Sequence, residues 1–218
     1  MCFSASASVT AGFALTGIGV LALRSVRCPR ERAFAALPLL FAVQQFIEGA
    51  LWLGLDGGSQ PINAALALAY IVFAHLLWPV YVPLSVWLIE PSRPRRVGLA
   101  VLVAAGAALS AWFVAQTWRH GIEALAQGGH IVYAYPHPNP GLTMAVYIAA
   151  TTASLLLSSH RTVKLFGVLV LVSFAVTSWF YLRWLDSVWC FFAALLSSVV
   201  LLHFRAGRVA ERRLGAGA

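Results

Sequence analysis

The chain has 218 residues, 61% of them hydrophobic and 10% charged, with a net charge of +8. A soluble domain carries roughly 25% charged residues, so charge this sparse cannot cover a water-facing surface, and the composition excludes a soluble globular protein in favour of one solvated by lipid. The positive balance does not point to nucleic acid either, because the basic residues sit in short segments between apolar runs, where they set topology.

A helix that crosses a bilayer needs about 20 apolar residues, and the chain supplies seven such runs. The first predicts a helix over 6–23, where Gly12, Gly17 and Gly19 point to close packing against a neighbour. No basic residue precedes it, and Arg24, Arg27, Arg30 and Arg32 follow it. That order predicts an uncleaved helix whose start lies outside. The second run, 34–55, holds Gln44, Gln45 and Glu48, and a short glycine-rich turn leads from it into a long third run, 62–90. Pro79 and Pro83 predict a tilt or kink there. A fourth helix is expected over 97–117.

The single long connection, from about 118 to 140, is expected to be a loop capping the outer face, broken at Gly128-Gly129. Its His120, Glu123, His130 and His137 match no standard zinc spacing, so no metal site is assigned. Three further helices follow over 141–159, 164–181 and 188–204. Most of their hydroxyls, among them Thr151, Ser154, Ser173 and Ser197, are expected to bond back to their own helices or to sit at close helix contacts, as is Ser110 in the fourth. His160 and His203 read as interfacial residues at helix ends.

Charge fixes the expected orientation. Thirteen of the 15 basic residues fall in alternate connections and the C-terminal tail, whereas Arg119 and Arg183 alone fall on the opposite side. The richer side belongs in the cytoplasm. Trp52, Trp118, Trp179, Trp184 and Trp189 lie near the expected outer helix ends and read as interfacial anchors. The expected fold is thus all-α: one integral-membrane domain, 1–218, of seven transmembrane helices, with its N-terminus outside, its C-terminus cytoplasmic, and the cell (inner or plasma) membrane as its location.

Four separated motifs carry a resemblance: MCFSASAS at the start, LPLLFAVQQFIEGALWL, WPVYVPLSVWLIEP, and SVWCFFAALLS near the end. The chain resembles an uncharacterised family of small bacterial multi-pass membrane proteins, a domain of unknown function. The resemblance implies a membrane location and brings no activity, cofactor or catalytic residue. Retinal proteins fit worse, since they need a lysine within the last helix and Lys164 is the chain's only lysine. The alkaline-ceramidase-like hydrolases fit worse too, since the last helix here has only His203 in place of their late HxxxH pair.

Ionisable residues at bilayer depth are costly and face a cavity or a partner. Glu48 and His75 are the two clear cases. Gln44 and Glu48, four residues apart, share a helix face, and His75 on the next, antiparallel helix falls at about the same level, followed by Trp78 and Tyr81. Gln44, Gln45, Glu48, His75, Trp78 and Tyr81 are therefore expected to form a polar ligand site between the second and third helices. A Glu–His pair of this kind binds a cation, carries a proton, or works as acid and base; the bland alternative is a hydrogen-bond cluster that joins two helices. Cys2 and Cys190 both fall near the expected outer surface, as a disulfide or as two packed thiols, and Cys28 is expected to be a free cytoplasmic thiol.

With no catalytic constellation in the sequence, a binding module is favoured over an enzyme: a sensor or small transporter whose partners are the lipid bilayer and a small-molecule, lipid or ion ligand, with no cofactor identified. The alternative is an intramembrane enzyme acting on a lipid through Glu48 and His75, or through Cys2 with an outer histidine.

Overall fold

The computed structural model describes residues 4–55, 59–120, 123–127, 130–134 and 139–205. Among these, seven helices are long and apolar enough to cross a membrane: α1 (Ala5–Leu23), α2 (Pro29–Leu55), α3 (Gln60–Ile89), α4 (Arg93–Arg119), α5 (Pro140–Leu157), α6 (Arg161–Phe180) and α7 (Leu182–Arg205). α1 opens on Ser4, whose hydroxyl accepts from the Ala7 N–H as an N-cap. α2 begins earlier than the apolar run predicts. Pro29 starts a tight turn and a short helix over Arg32–Ala35, and the main run resumes at Leu37. Proline lacks a backbone N–H and suits a first helical turn, where that N–H would be unpaired.

The segment expected to be a loop contains a hairpin. β1 (Glu123–Gln127) pairs antiparallel with β2 (His130–Ala134), with Gln127 opposite His130 across the glycine break. Its hydrophobic period is too short to stand out beside the helical runs, and the sheet is held by tertiary contact. The Tyr133 ring stacks on Tyr70 of α3 at 4.6 Å, and Ile131 is buried in the same cluster as Leu51 and Ile71. An isolated two-stranded hairpin is marginal in water; this one has a helical floor.

The predicted irregularity in α3 is a π-helical turn over Val72–Leu77, just before Trp78 and Pro79. A proline cannot donate to the carbonyl four residues back and its ring presses on that carbonyl. Pro79 thus cannot donate to the His75 carbonyl, nor Pro83 to the Pro79 carbonyl. Side chains from other helices bond the carbonyls of this turn, and the Ser110 hydroxyl lies 3.4 Å from the His75 carbonyl itself. Ser110 of α4 donates to the Leu76 carbonyl at 2.9 Å, and Tyr147 of α5 donates to the Ala74 carbonyl at 2.6 Å. Gly106, one turn before Ser110, brings the α4 backbone against the Pro79 carbonyl.

The small residues of α1 divide. Gly12 faces Phe46 and Gly19 faces Leu39, but Gly17 faces open space and is not a packing residue. Most hydroxyls bond back along their own helices: Thr151 to Tyr147, Ser154 to Thr151, Ser173 to Val170 and Ser197 to Ala194.

At the arginine-rich end, Glu90 joins two connections. Its carboxylate accepts from the Ser92 N–H at 3.0 Å and from both the backbone N–H and the hydroxyl of Ser159, while Arg95 donates to the Ser159 hydroxyl at 2.8 Å. Burial alone would raise this carboxyl, but the hydrogen bonds from Ser159, Ser92 and Ser158 more than offset it and hold the group below the ordinary carboxylate range. His203 hydrogen-bonds Thr162 at 2.6 Å and meets the His160 ring edge-on at 5.0 Å.

The tryptophans also divide. Trp118 and Trp179 are 90% and 84% exposed. Trp189, expected as an interfacial anchor, is instead buried against Tyr147 and Phe174. The reason is the true start of α7 at Leu182 rather than near 188, which moves Trp189 two turns into the helix.

Candidate functional site

Three helices supply the polar interior. α2 presents Gln44, Gln45 and Glu48, all fully buried. α3 presents His75 from its π turn, with Trp78 following it. α7 adds two residues that the helix boundaries expected from sequence had left in a loop, Asp186 and Ser187.

The contacts fall into two adjoining sets. In the first, Trp78 Nε1 donates to Gln44 Oε1 at 2.8 Å, and the indole stacks on Phe41 at 3.9 Å. Gln45 Nε2 donates to Glu48 Oε2 at 3.4 Å, and the Ser187 hydroxyl donates to Glu48 Oε1. Glu48 thereby ties α2 to α7. In the second set, His75 Nε2 lies 3.4 Å from Asp186 Oδ1, and the Tyr70 hydroxyl donates to the Asp186 backbone carbonyl at 3.1 Å. The adjacency of Asp186 and Ser187 joins the sets. Glu48 and His75 thus meet successive residues of the same turn of α7, each with its own partner there.

Tyr81 lies elsewhere. It donates to the Ala33 carbonyl at 2.9 Å and ties α3 to the start of α2. Cys190, one turn beyond Asp186, is buried. Cys2 lies outside the described residues, as does His137; Cys28 is exposed. His130 is buried in the hairpin against Trp184, with ring centroids 4.6 Å apart. Among the described residues no group of three or more His, Cys, Asp or Glu side chains converges as metal ligands would.

The two sets differ in access. Glu48 and the glutamines are sealed in the interior, whereas His75 and Asp186 line a cleft of about 270 Å³, and the Asp186 side chain is 27% exposed. Phe113, Tyr133, Tyr147 and Trp189 form aromatic walls, Cys190 lies among the lining residues, and Arg183 and Thr143 bring polar groups from the starts of α7 and α5. The cleft therefore opens at the hairpin end of the bundle. Chemically it offers a carboxylate, an imidazole, a guanidinium and ring faces in one partly desolvated space. The signal for Asp186 was present in the sequence as an ionisable residue at the edge of an apolar run, hidden by a helix start placed six residues late.

A family model described as "Family of unknown function (DUF6629)" matches residues 1–215. No curated protein and no solved structure matches the chain.

Proposed function

We propose that this chain, which belongs to the DUF6629 family of unknown function, is a multi-pass protein of the cell membrane that binds a small polar ligand in the cleft at His75 and Asp186. It works as a sensor or small transporter rather than as an enzyme. The observation that carries the reading is the contact of His75 Nε2 with Asp186 Oδ1, 3.4 Å apart, at the wall of a cleft open at one end. Ionisable groups at bilayer depth are expensive and mark ligand and ion pathways. A purely structural pair has no reason to face an accessible space. The sealed Glu48 set braces α2 against the part of α7 that carries Asp186, so it acts as the rigid support of the site.

The test is a thermal melt of purified protein in mild detergent with small amines, divalent cations and lipids, for wild type and Asp186→Asn. A ligand that binds only the folded state raises the melting temperature by mass action. A shift in wild type that is lost in Asp186→Asn is the expected result, and the absence of any shift across the whole panel would sink the binding reading. The enzyme reading draws on the same contact, because a carboxylate that fixes one imidazole nitrogen is the arrangement of a general base. A lipid product that accumulates with wild type and not with His75→Gln would favour it.

In the proposed topology the hairpin end faces outward and the arginine-rich end faces the cytoplasm, on the strength of the charge bias. In a Cys2→Ser background, a membrane-impermeant maleimide is expected to label Leu125→Cys on the hairpin in intact cells. The native Cys28, exposed at the opposite end, should react only after the membrane is opened. The reverse pattern would invert the topology.

A further inference from the structure

We infer that the ligand is a zwitterion made of an ammonium joined to a phosphate by a short linker, as in phosphoethanolamine or phosphocholine. Its ammonium sits at Asp186 among the aromatic walls and its phosphate at Arg183. The inference rests on the binding reading above and adds to it the chemical class of the ligand.

The walls select a cation. Phe113, Tyr133, Tyr147 and Trp189 all line the cleft beside Asp186. The face of an aromatic ring attracts an ammonium, most strongly where water is excluded, and rings clustered around a space are how proteins hold quaternary ammonium groups. The first three rings are mostly buried, as is Trp189, so the surface they turn to the cleft is desolvated on its other sides. Asp186 supplies the counter-charge, and His75 holds its carboxylate in place at 3.4 Å.

The rim selects an anion. Arg183 precedes Asp186 by three residues at the start of α7, is exposed, and lines the same cleft. Arg183 sits in the 3-10 turn Leu182–Trp184 that leads into the α-helix carrying Asp186, and both side chains line one cleft. Because both charges face the same cleft of about 270 Å³, a single molecule with an ammonium and a phosphate joined by a short linker reaches both at once. The guanidinium offers a phosphate two parallel N–H donors.

A third observation is independent of charge. The Tyr133 hydroxyl is buried and has no hydrogen-bond partner among the described residues, although its side chain lines the cleft. Native proteins rarely leave a buried polar atom unsatisfied, and a phosphate oxygen gives this one an acceptor. The volume, about 270 Å³, lies near the small end of the roughly 300–1,000 Å³ range of ligand sites, which suits a headgroup better than a whole lipid. The same chemistry occurs in a lipid headgroup and in a free phosphorylated amino alcohol, and the two sources are separable.

The probes are choline, inorganic phosphate, phosphocholine and phosphoethanolamine in detergent, and nanodiscs of phosphatidylethanolamine or phosphatidylglycerol. Melting curves and microcalorimetry are read on wild type, Asp186→Asn and Arg183→Gln. The zwitterions are expected to bind wild type more tightly than choline or phosphate alone. Asp186→Asn should weaken choline and both zwitterions at least about tenfold. Arg183→Gln, at an exposed position that leaves the fold intact, should weaken the zwitterions and leave choline unchanged. Stabilisation in phosphatidylethanolamine over phosphatidylglycerol discs, without binding of the free zwitterions, assigns the ligand as a lipid headgroup; the converse assigns a free one. If neither source binds, but another member of the broader panel does so in a manner that depends on Asp186, the zwitterion is wrong and the binding reading stands. If nothing binds at all, both fall together.

Discussion

Gly106→Ala is expected to be the most disruptive glycine-to-alanine substitution among the described residues, with a loss of at least ~3 kcal/mol, at or beyond the upper end of the range for overpacked cores. A Cβ at Gly106 would stand 1.8 Å from the Pro79 carbonyl oxygen and 2.6 Å from its carbon. Both are backbone atoms and cannot rotate away, so α4 must retreat from α3. Retreat breaks the Ser110 bonds to the Leu76 and His75 carbonyls, the second of which is the carbonyl that Pro79 cannot serve. His75 projects from that same π turn, so ligand-dependent stabilisation should disappear with the packing. The control is Gly17→Ala, whose new methyl meets no atom within 4 Å and gains up to ~1 kcal/mol of helix propensity. The comparison is read as melting temperature in detergent and as folded fraction in a denaturing-detergent titration. Should Gly106→Ala melt like wild type, the close approach of α3 and α4 is not what sets their packing.

Glu48→Ala is expected to cost about 2–4 kcal/mol, chiefly by leaving the Ser187 hydroxyl and the Gln45 amide without an acceptor at ~1–3 kcal/mol per buried orphan. Interhelical hydrogen bonds in bilayers average only about 0.6 kcal/mol, because the separated helices find other partners; the remainder comes from the cavity left where a fully buried side chain stood. Glu48→Gln keeps the volume and an acceptor oxygen for Ser187, so it should retain most of the stability. The double variant Glu48→Ala with Ser187→Ala should fall short of the sum of the singles, since the two residues share one bond. Strict additivity would separate Glu48 from Ser187 and remove the brace between α2 and α7. Because Glu48 is sealed away from the cleft while Asp186 lines it, Glu48→Gln should leave ligand binding nearly unchanged and Asp186→Asn should not. That contrast divides the interior into a supporting part and a binding part.

The two variants also mark how far sequence reasoning reaches. The number of helices, their apolar character and the alternation of basic connections follow from composition and hydropathy alone, because a span in lipid must be long, continuous and poor in charge. Glu48 and His75 were legible for the same reason: an ionisable group inside an apolar run stands out without reference to any neighbour. The irregularity of α3 was legible from Pro79 and Pro83, although its form as a π turn was not. What hydropathy does not carry is partnership. That His75 meets Asp186 rather than Glu48 depends on where α7 starts and how it is rotated, and residues at the margin of an apolar run can lie in either a loop or a helix. Trp189 was misplaced for that reason, and Gly17 because a glycine records the absence of a side chain and not what stands opposite it. The hairpin depended on Tyr70, more than sixty residues away, to give Tyr133 a surface to stack on. The pattern of seven helices long and apolar enough to cross a membrane was therefore a property of the sequence, since length and hydropathy are set within each segment separately. The cleft and its charges were decided by the tertiary structure, since they exist only where α3, α4, α5, α7 and the hairpin meet.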